Sequence, residues 1–227
     1  MSDIIKKQLE AYQSNFLKHG NTPEGTFQNN NTTQYERFNQ LLTPLLRLKS
    51  SNFSICDIGS GVCDLHKYLK LNDINHQYTG VEIVPEMIET AQKMYPEIKL
   101  LNTNIVGDNF NEKFDFTVLS GTFNIPGSVG ENDWEEFIFS VIKKMYQSAE
   151  IGISFNALTT YSTFTANELF YLKPEKVFSY IQSELSRFCI VNTAYPLFEV
   201  TYTILKPEFL HSKYPHSDFT KYFKNKQ

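Results

Sequence analysis

The stretch Phe53-Ser54-Ile55-Cys56-Asp57-Ile58-Gly59-Ser60-Gly61-Val62-Cys63-Asp64 constrains the fold more than any other. Its apolar start, ending in Asp57-Ile58, reads as a buried strand, the glycines as a turn, and Leu65 and Leu69 as one face of a following helix. A strand, a glycine turn and a helix in that order open a doubly wound α/β domain, with a ligand site where the helix N-terminus presents unpaired N–H groups. Gly59 allows the tight turn, and Gly61, lacking a Cβ, lets a ligand approach the backbone. A dinucleotide site would carry a third glycine beneath its pyrophosphate; here Asp64 holds that place, and Asp57 precedes Gly59. Two carboxylates repel a phosphate and suit a ligand with a positive end.

Beyond the loop, strands and helices alternate, as in a parallel sheet. Tyr78 to Glu82 reads as the second strand, its terminal acid roughly twenty residues past the loop, where Glu82 can accept from both hydroxyls of a ribose. Pro85 opens a helix with Met87, Ile88, Ala91 and Met94 inward, and Ile98 to Leu101 is the third strand. Phe114 to Ser120 is the fourth strand. Asn132-Asp133 are expected to cap the next helix, with Glu135 and Glu136 in its first turn and Trp134, Ile138, Val141, Ile142 and Met145 in its core stripe. Ile151 to Asn156 is the fifth strand, and Pro174 starts a helix bearing Val177, Phe178, Ile181 and Leu185. Phe188 to Ala194 and Phe198 to Leu205 form a closing antiparallel pair through Tyr195-Pro196-Leu197. The expected fold is α/β: a Rossmann-like, doubly wound, seven-stranded, mostly parallel sheet with a C-terminal antiparallel hairpin.

Ahead of the glycine loop, Ile5, Leu9, Tyr12 and Phe16 space a helical stripe over residues 4–18. A polar stretch with Gly20, Pro23 and Gly25 follows from His19 to Thr33, then a helix with Tyr35, Phe38, Leu41 and Leu42 on one side, which Thr43-Pro44 is expected to cap and restart. A long polar loop inside a compact domain reads as a lid. The expected parts are an N-terminal helical lid over 1–50, the main domain over 51–206 and a tail over 207–227, all in one compact unit.

The 227 residues suffice for one α/β domain, and a net charge of −4 without a basic block argues against a nucleic-acid surface. The lysines between Lys206 and Lys226 read as a solvated or frayed end. Cys56, Cys63 and Cys189 form no metal-spaced set, so reduced thiols, no metal and a cytoplasmic location are expected. No apolar run reaches the ~20 residues of a membrane span. Of the five histidines, His76, His211 and His216 are set aside by position and His66 is read onto a solvated helix face, while His19 stands in the lid beside Gly20.

Asp57-Ile58-Gly59-Ser60-Gly61, with Glu82 after the second strand, resembles the class I S-adenosylmethionine-dependent methyltransferases from Phe53 to about Leu205. Ser120-Gly121-Thr122-Phe123-Asn124 is similar to a segment of small bacterial methyltransferases associated with surface-glycan and capsule modification. His19-Gly20, Gln34, Arg37-Phe38, Ser154-Phe155-Asn156 and Thr160-Tyr161-Ser162 are similar to that group as well. The resemblance implies S-adenosylmethionine as cofactor, S-adenosylhomocysteine as product, and a small-molecule or glycan acceptor. It implies cofactor contacts from Asp57, Gly59, Ser60, Gly61, Glu82, Ile83, Asn104, Ile105, Ser120 and Gly121. Asn104 or Asn102 stands where such enzymes often place an Asp that accepts from adenine; an amide oxygen can do the same. Acceptor contacts fall to Arg37, Asn124, Asn156 and Tyr161, and an O-methylation would draw its proton acceptor from His19, with Asn124 and Tyr161 as further candidates. N-methylation of a small amine and a non-catalytic cofactor-binding module are the alternatives. The Pro-Pro segment of nucleobase N-methylation is absent from Phe123-Asn124-Ile125-Pro126.

Overall fold

The computed structural model describes residues 3–28, 30–107 and 110–223. In chain order the elements are α1 (Asp3–His19), α2 (Asn31–Leu46), β1 (Phe53–Ile58), α3 (Asp64–Leu71), β2 (His76–Glu82), α4 (Pro85–Met94), β3 (Lys99–Asn102) and β4 (Phe114–Leu119). They continue with α5 (Glu131–Ser148), β5 (Ala149–Leu158), α6 (Pro174–Tyr180), β6 (Cys189–Asn192), β7 (Glu199–Leu205) and α7 (Pro207–Lys213). The seven strands form one sheet in the order β3-β2-β1-β4-β5-β7-β6. All pairs are parallel except those made by β7 with β5 and β6. The strand order reverses between β1 and β4, and an open sheet of this kind leaves a ligand crevice beyond the strand ends at that point.

Each sheet face carries its own core. On one, Trp134, Ile138, Ile142 and Met145 of α5 pack against Ile153, Phe155 and Tyr202. On the other, Phe38, Leu41 and Leu45 of α2 meet Phe53, Phe116, Leu65 and Leu69. Burial on both faces explains why β1 and β4 read as near-continuous apolar runs. Each fully buried Leu or Phe contributes roughly 1.5–3 kcal/mol. Phe16 of α1 packs separately with Val62, Val84 and Met87. Gln8 Nε2 donates to the Ile125 carbonyl at 2.9 Å, and Gln13 Nε2 to Glu86 Oε1 at 2.7 Å. The first helix is thereby tied to the loop after β4 and to α4.

Several local expectations are corrected. The second helix runs unbroken through Pro44, which lies in its last turn, where the missing N–H forfeits one helical bond. It begins at the Asn30 side chain, which accepts from Thr33 N–H at 2.9 Å. Asn30→Ala is therefore expected to lower unfolding free energy by about 1 kcal/mol, measurable by urea titration. The fifth helix starts at Glu131 behind Gly130 without a side-chain cap, so Glu131 and Asp133 supply its first-turn acids. Pairing with β4 starts β5 at Ala149, and pairing with β7 carries it to Leu158. Met94 and Phe178 are 40% and 45% exposed rather than inward. His66 is buried, with Nδ1 at 2.9 Å from His76 Nε2 and its ring against Tyr78 and Tyr95. The tail is not frayed over α7, because Phe209 and Leu210 pack on the second core; Lys224 and Lys226 lie outside the described residues. No helix among the described residues is long and apolar enough to cross a membrane.

Candidate active site

The site grows from the turn between β1 and α3. Gly59 and Gly61 have φ of +69° and +54°, in the region that favours glycine. A Cβ on Gly59 would strike the Thr122 side chain, whereas one on Gly61 would meet only Met87 Sδ at 4.0 Å. Gly59 is thus required for packing, and Gly61 keeps space open above the turn. Glu82, 7% exposed at the end of β2, fastens this turn: its Oε2 accepts from Gly61 N–H at 2.9 Å, and its Oε1 from Ile83 N–H at 2.7 Å and Val84 N–H at 3.0 Å. Burial pushes the Glu82 carboxyl up, and the three N–H bonds oppose it. Asp57, 4% exposed, accepts from the Tyr78 hydroxyl at 2.6 Å. Its burial raises the carboxyl to about 7 against that hydrogen bond, with Glu82 and Asp64 adding to the rise.

Two cavities adjoin here. The polar one is walled by Tyr12, Gln28, Arg37, Asp57, Ser60, Gly61, Ser120, Gly121 and Asn124. The other is an apolar slot between Ile58, Val81, Ile83, Ile105, Phe123 and Trp134, with Asn104 on its wall. Glu82, Gly59, Thr122 and Tyr12 belong to both. This shape suits a ligand with a flat apolar end, a hydroxylated middle and a charged end. Asn102 turns away from the slot and donates to the Glu82 carbonyl at 2.9 Å, which leaves Asn104 as the amide on its wall. The Ser120 hydroxyl is buried without a hydrogen-bond partner among the described residues, so a donor or acceptor is held ready at the end of β4.

The other expected site residues divide. Asn124 lies on the polar wall, and its Oδ1 accepts from Leu158 N–H at 3.4 Å. Arg37 reaches the wall with its charge engaged: Nε donates to Glu199 Oε1 at 2.7 Å and Nη1 to Gln28 Oε1 at 2.7 Å. Asn156 is fully buried behind the wall, donating to Glu199 Oε2 at 2.5 Å and accepting from Gly121 N–H at 2.9 Å. Tyr161 is 71% exposed, bonded to Glu175 in an open cleft away from the cavities. His19 is not brought to the cavity either; it is exposed at the end of α1, where the chain turns at Gly20.

The segment before α2 is shorter and more regular than expected, with a 3-10 turn at Glu24–Thr26. Asn15 Nδ2 holds the Glu24 and Gly25 carbonyls at 2.7 and 3.0 Å, and Phe27 packs edge-on against Tyr12. Thr26, Phe27 and Gln28 then close one side of the polar cavity. Tyr12, Gln28, Thr122 and Glu199 are contributors that the sequence did not single out. Tyr12 was hidden in an ordinary helical stripe. Glu199 had one signal, an acid set against an apolar strand. Among the described residues no group of three or more His, Cys, Asp or Glu is placed to hold a metal ion.

Residues 56–138 match a family described as a methyltransferase domain. The chain is 28% identical over 156 residues to "Putative methyltransferase Rv1506c" of Mycobacterium tuberculosis, spanning 68% of this chain and 93% of the relative. It superposes on magnesium protoporphyrin IX methyltransferase from Synechocystis, solved with S-adenosylmethionine, with a TM-score of 0.64 at 10% identity over 91% of this chain and 98% of the other. It also superposes on the N-methyltransferase NodS of Bradyrhizobium japonicum, solved with S-adenosylhomocysteine, with a TM-score of 0.62 at 15% identity over 88% and 99%. At such identities the two structures establish the shared Rossmann-like fold. The match to the methyltransferase domain and the methyltransferase relative carry the activity, and with the shared fold they support an S-adenosylmethionine-dependent methyltransferase. The residues present fit that cofactor. The slot has room for adenine beside Asn104, Glu82 at the joint of the two cavities could accept from ribose hydroxyls, and Asp57, Ser120 and the open space over Gly61 could take the polar end.

Proposed function

We propose that this enzyme methylates a hydroxyl of a small molecule or glycan precursor. The observation that carries the proposal is the charge on the polar wall. Among the described residues its carboxylates Asp57, Asp64 and Glu82 face a single cation, Arg37, whose guanidinium is already paired with Glu199. An anionic acceptor would meet repulsion there, whereas an uncharged hydroxylated one meets Ser120, Asn124 and Gln28. When bound, S-adenosylmethionine supplies a methyl group on a positively charged sulfur, which suits that wall. The protein's part is to align the acceptor, exclude water and receive the hydroxyl proton. With His19 off the wall, Asp64 is the proton acceptor at hand, and the Thr26–Gln28 turn and Tyr12 exclude water. The same negative wall would also attract an amine, which keeps N-methylation as the second reading. Three unpaired cysteines support a cytoplasmic setting.

The test is calorimetry with S-adenosylmethionine, followed by transfer of a labelled methyl group to a panel of hydroxylated and aminated sugars and small metabolites. Label is expected on hydroxyl acceptors, at a rate that a chelator does not change. Label confined to amines would replace the proposal with N-methylation, and tight cofactor binding without transfer to any panel member would favour the binding-module alternative. Activity lost to the chelator and restored by magnesium would overturn the metal-free reading.

A further inference from the structure

We infer that Glu199 is a positioning residue, holding the segment that covers the polar cavity and the loop after β4 in register through its two carboxylate oxygens. The inference rests on the reading of the adjoining cavities as the methyl-transfer site. Glu199 opens β7 and is 2% exposed. One oxygen begins a branch to the cover: Arg37 Nε donates to Oε1 at 2.7 Å, and Arg37 Nη1 donates to Gln28 Oε1 at 2.7 Å. The other oxygen begins a branch to the opposite wall: Asn156 Nδ2 donates to Oε2 at 2.5 Å, and Asn156 Oδ1 accepts from Gly121 N–H at 2.9 Å. Gly121 carries a φ of +74° between Ser120 and Asn124, both of which line the polar cavity.

The carboxylate is needed because everything that meets it is a donor. It accepts from a guanidinium on one side and an amide on the other, and by drawing in the Asn156 NH2 it leaves the amide oxygen facing Gly121 N–H. A glutamine at 199 would turn an NH2 toward one of those donors, so one branch must fail. Stability alone is a poor reason to bury such a pair, since apolar residues of similar volume often replace buried ion pairs without loss. What they cannot replace is the directed contact with Gln28 and Gly121. Two walls of the cavity, drawn from segments far apart in sequence, are thereby set by one charge.

The experiment measures hydrogen exchange in residues 20–28 and 121–124 of the free protein, S-adenosylhomocysteine affinity and melting temperature. Glu199→Gln is expected to speed exchange at least tenfold in one or both segments and to weaken affinity about tenfold, while the β1–β2 ladder keeps its protection. Arg37→Met with Glu199→Leu removes both buried charges, though the Asn156 amide loses its acceptor. It is expected to recover melting temperature in part but not exchange protection or affinity; recovery of exchange protection and affinity would reduce Glu199 to a structural residue and overturn the inference. If Glu199→Gln does not fold, Gln28→Ala cuts the first branch outside the core. Faster exchange in 20–28 at an unchanged melting temperature is then expected, and unchanged exchange would overturn the inference. Wild-type protein that binds neither S-adenosylmethionine nor its product would sink the proposed function instead, while the exchange result would still judge Glu199.

Discussion

Glu82→Ala is expected to weaken S-adenosylmethionine binding by about 3 kcal/mol or more, upward of a hundredfold. Two losses combine. The first is direct: a carboxylate at the joint of the two cavities can accept from ribose hydroxyls, and a charge-assisted hydrogen bond contributes roughly 1.5–3 kcal/mol. The second comes from the protein itself, because the same carboxylate holds the N–H groups of Gly61, Ile83 and Val84. Alanine would leave those donors unpaired and free the glycine turn, so the ligand would also have to order the site it enters. Glu82→Gln keeps one acceptor oxygen and turns an NH2 toward backbone donors, and it is expected to fall between wild type and alanine. Calorimetry decides the matter. Affinity unchanged in the alanine variant would remove Glu82 from the site.

The turn at Gly59–Gly61 and the acid at 82 were legible because their geometry is local. Strand, glycine spacing and strand-end acid follow one another within about thirty residues, and backbone sterics leave such a pattern few folds. The sheet was legible for a similar reason, since strands buried on both faces announce themselves as apolar runs. Residues whose role depends on distant partners were not. Arg37 and Glu199 meet across 162 positions, and Asn156 and Glu199 across 43, so a motif that suggested acceptor contacts for Arg37 and Asn156 could not show both committed to one buried carboxylate. His66 looked solvated on its own helix, because the groups that bury it, His76, Tyr78 and Tyr95, arrive from other segments. His19 and Tyr161 matched the family pattern in sequence, yet one ends a helix in solvent and the other projects over α6 toward Glu175.

Cofactor affinity is expected to depend on pH through Asp57, rising through about pH 7. Buried at the end of β1 and crowded by Glu82 and Asp64, its carboxyl is held up to about 7, so below that pH the free protein carries it protonated. A ligand with a positive end favours the carboxylate, so binding releases a proton. Affinity should therefore climb by up to tenfold per pH unit below 7 and level off above it. The free protein behaves in the opposite sense. The folded carboxyl binds its proton more tightly than the unfolded one, whose ordinary value is 3.8, so Asp57 lowers stability progressively as pH rises from about 4 to 7. Asp57→Asn removes the charge and keeps an oxygen for the Tyr78 hydroxyl. At pH 8 it is expected to stabilise the free protein, by on the order of 2–4 kcal/mol, while weakening cofactor binding and flattening its pH profile. Melting curves at pH 5 and 8, with calorimetry between pH 5.5 and 8.5, measure both effects. Should wild type and Asp57→Asn bind with the same affinity across that range, Asp57 does not face the positive end of the cofactor.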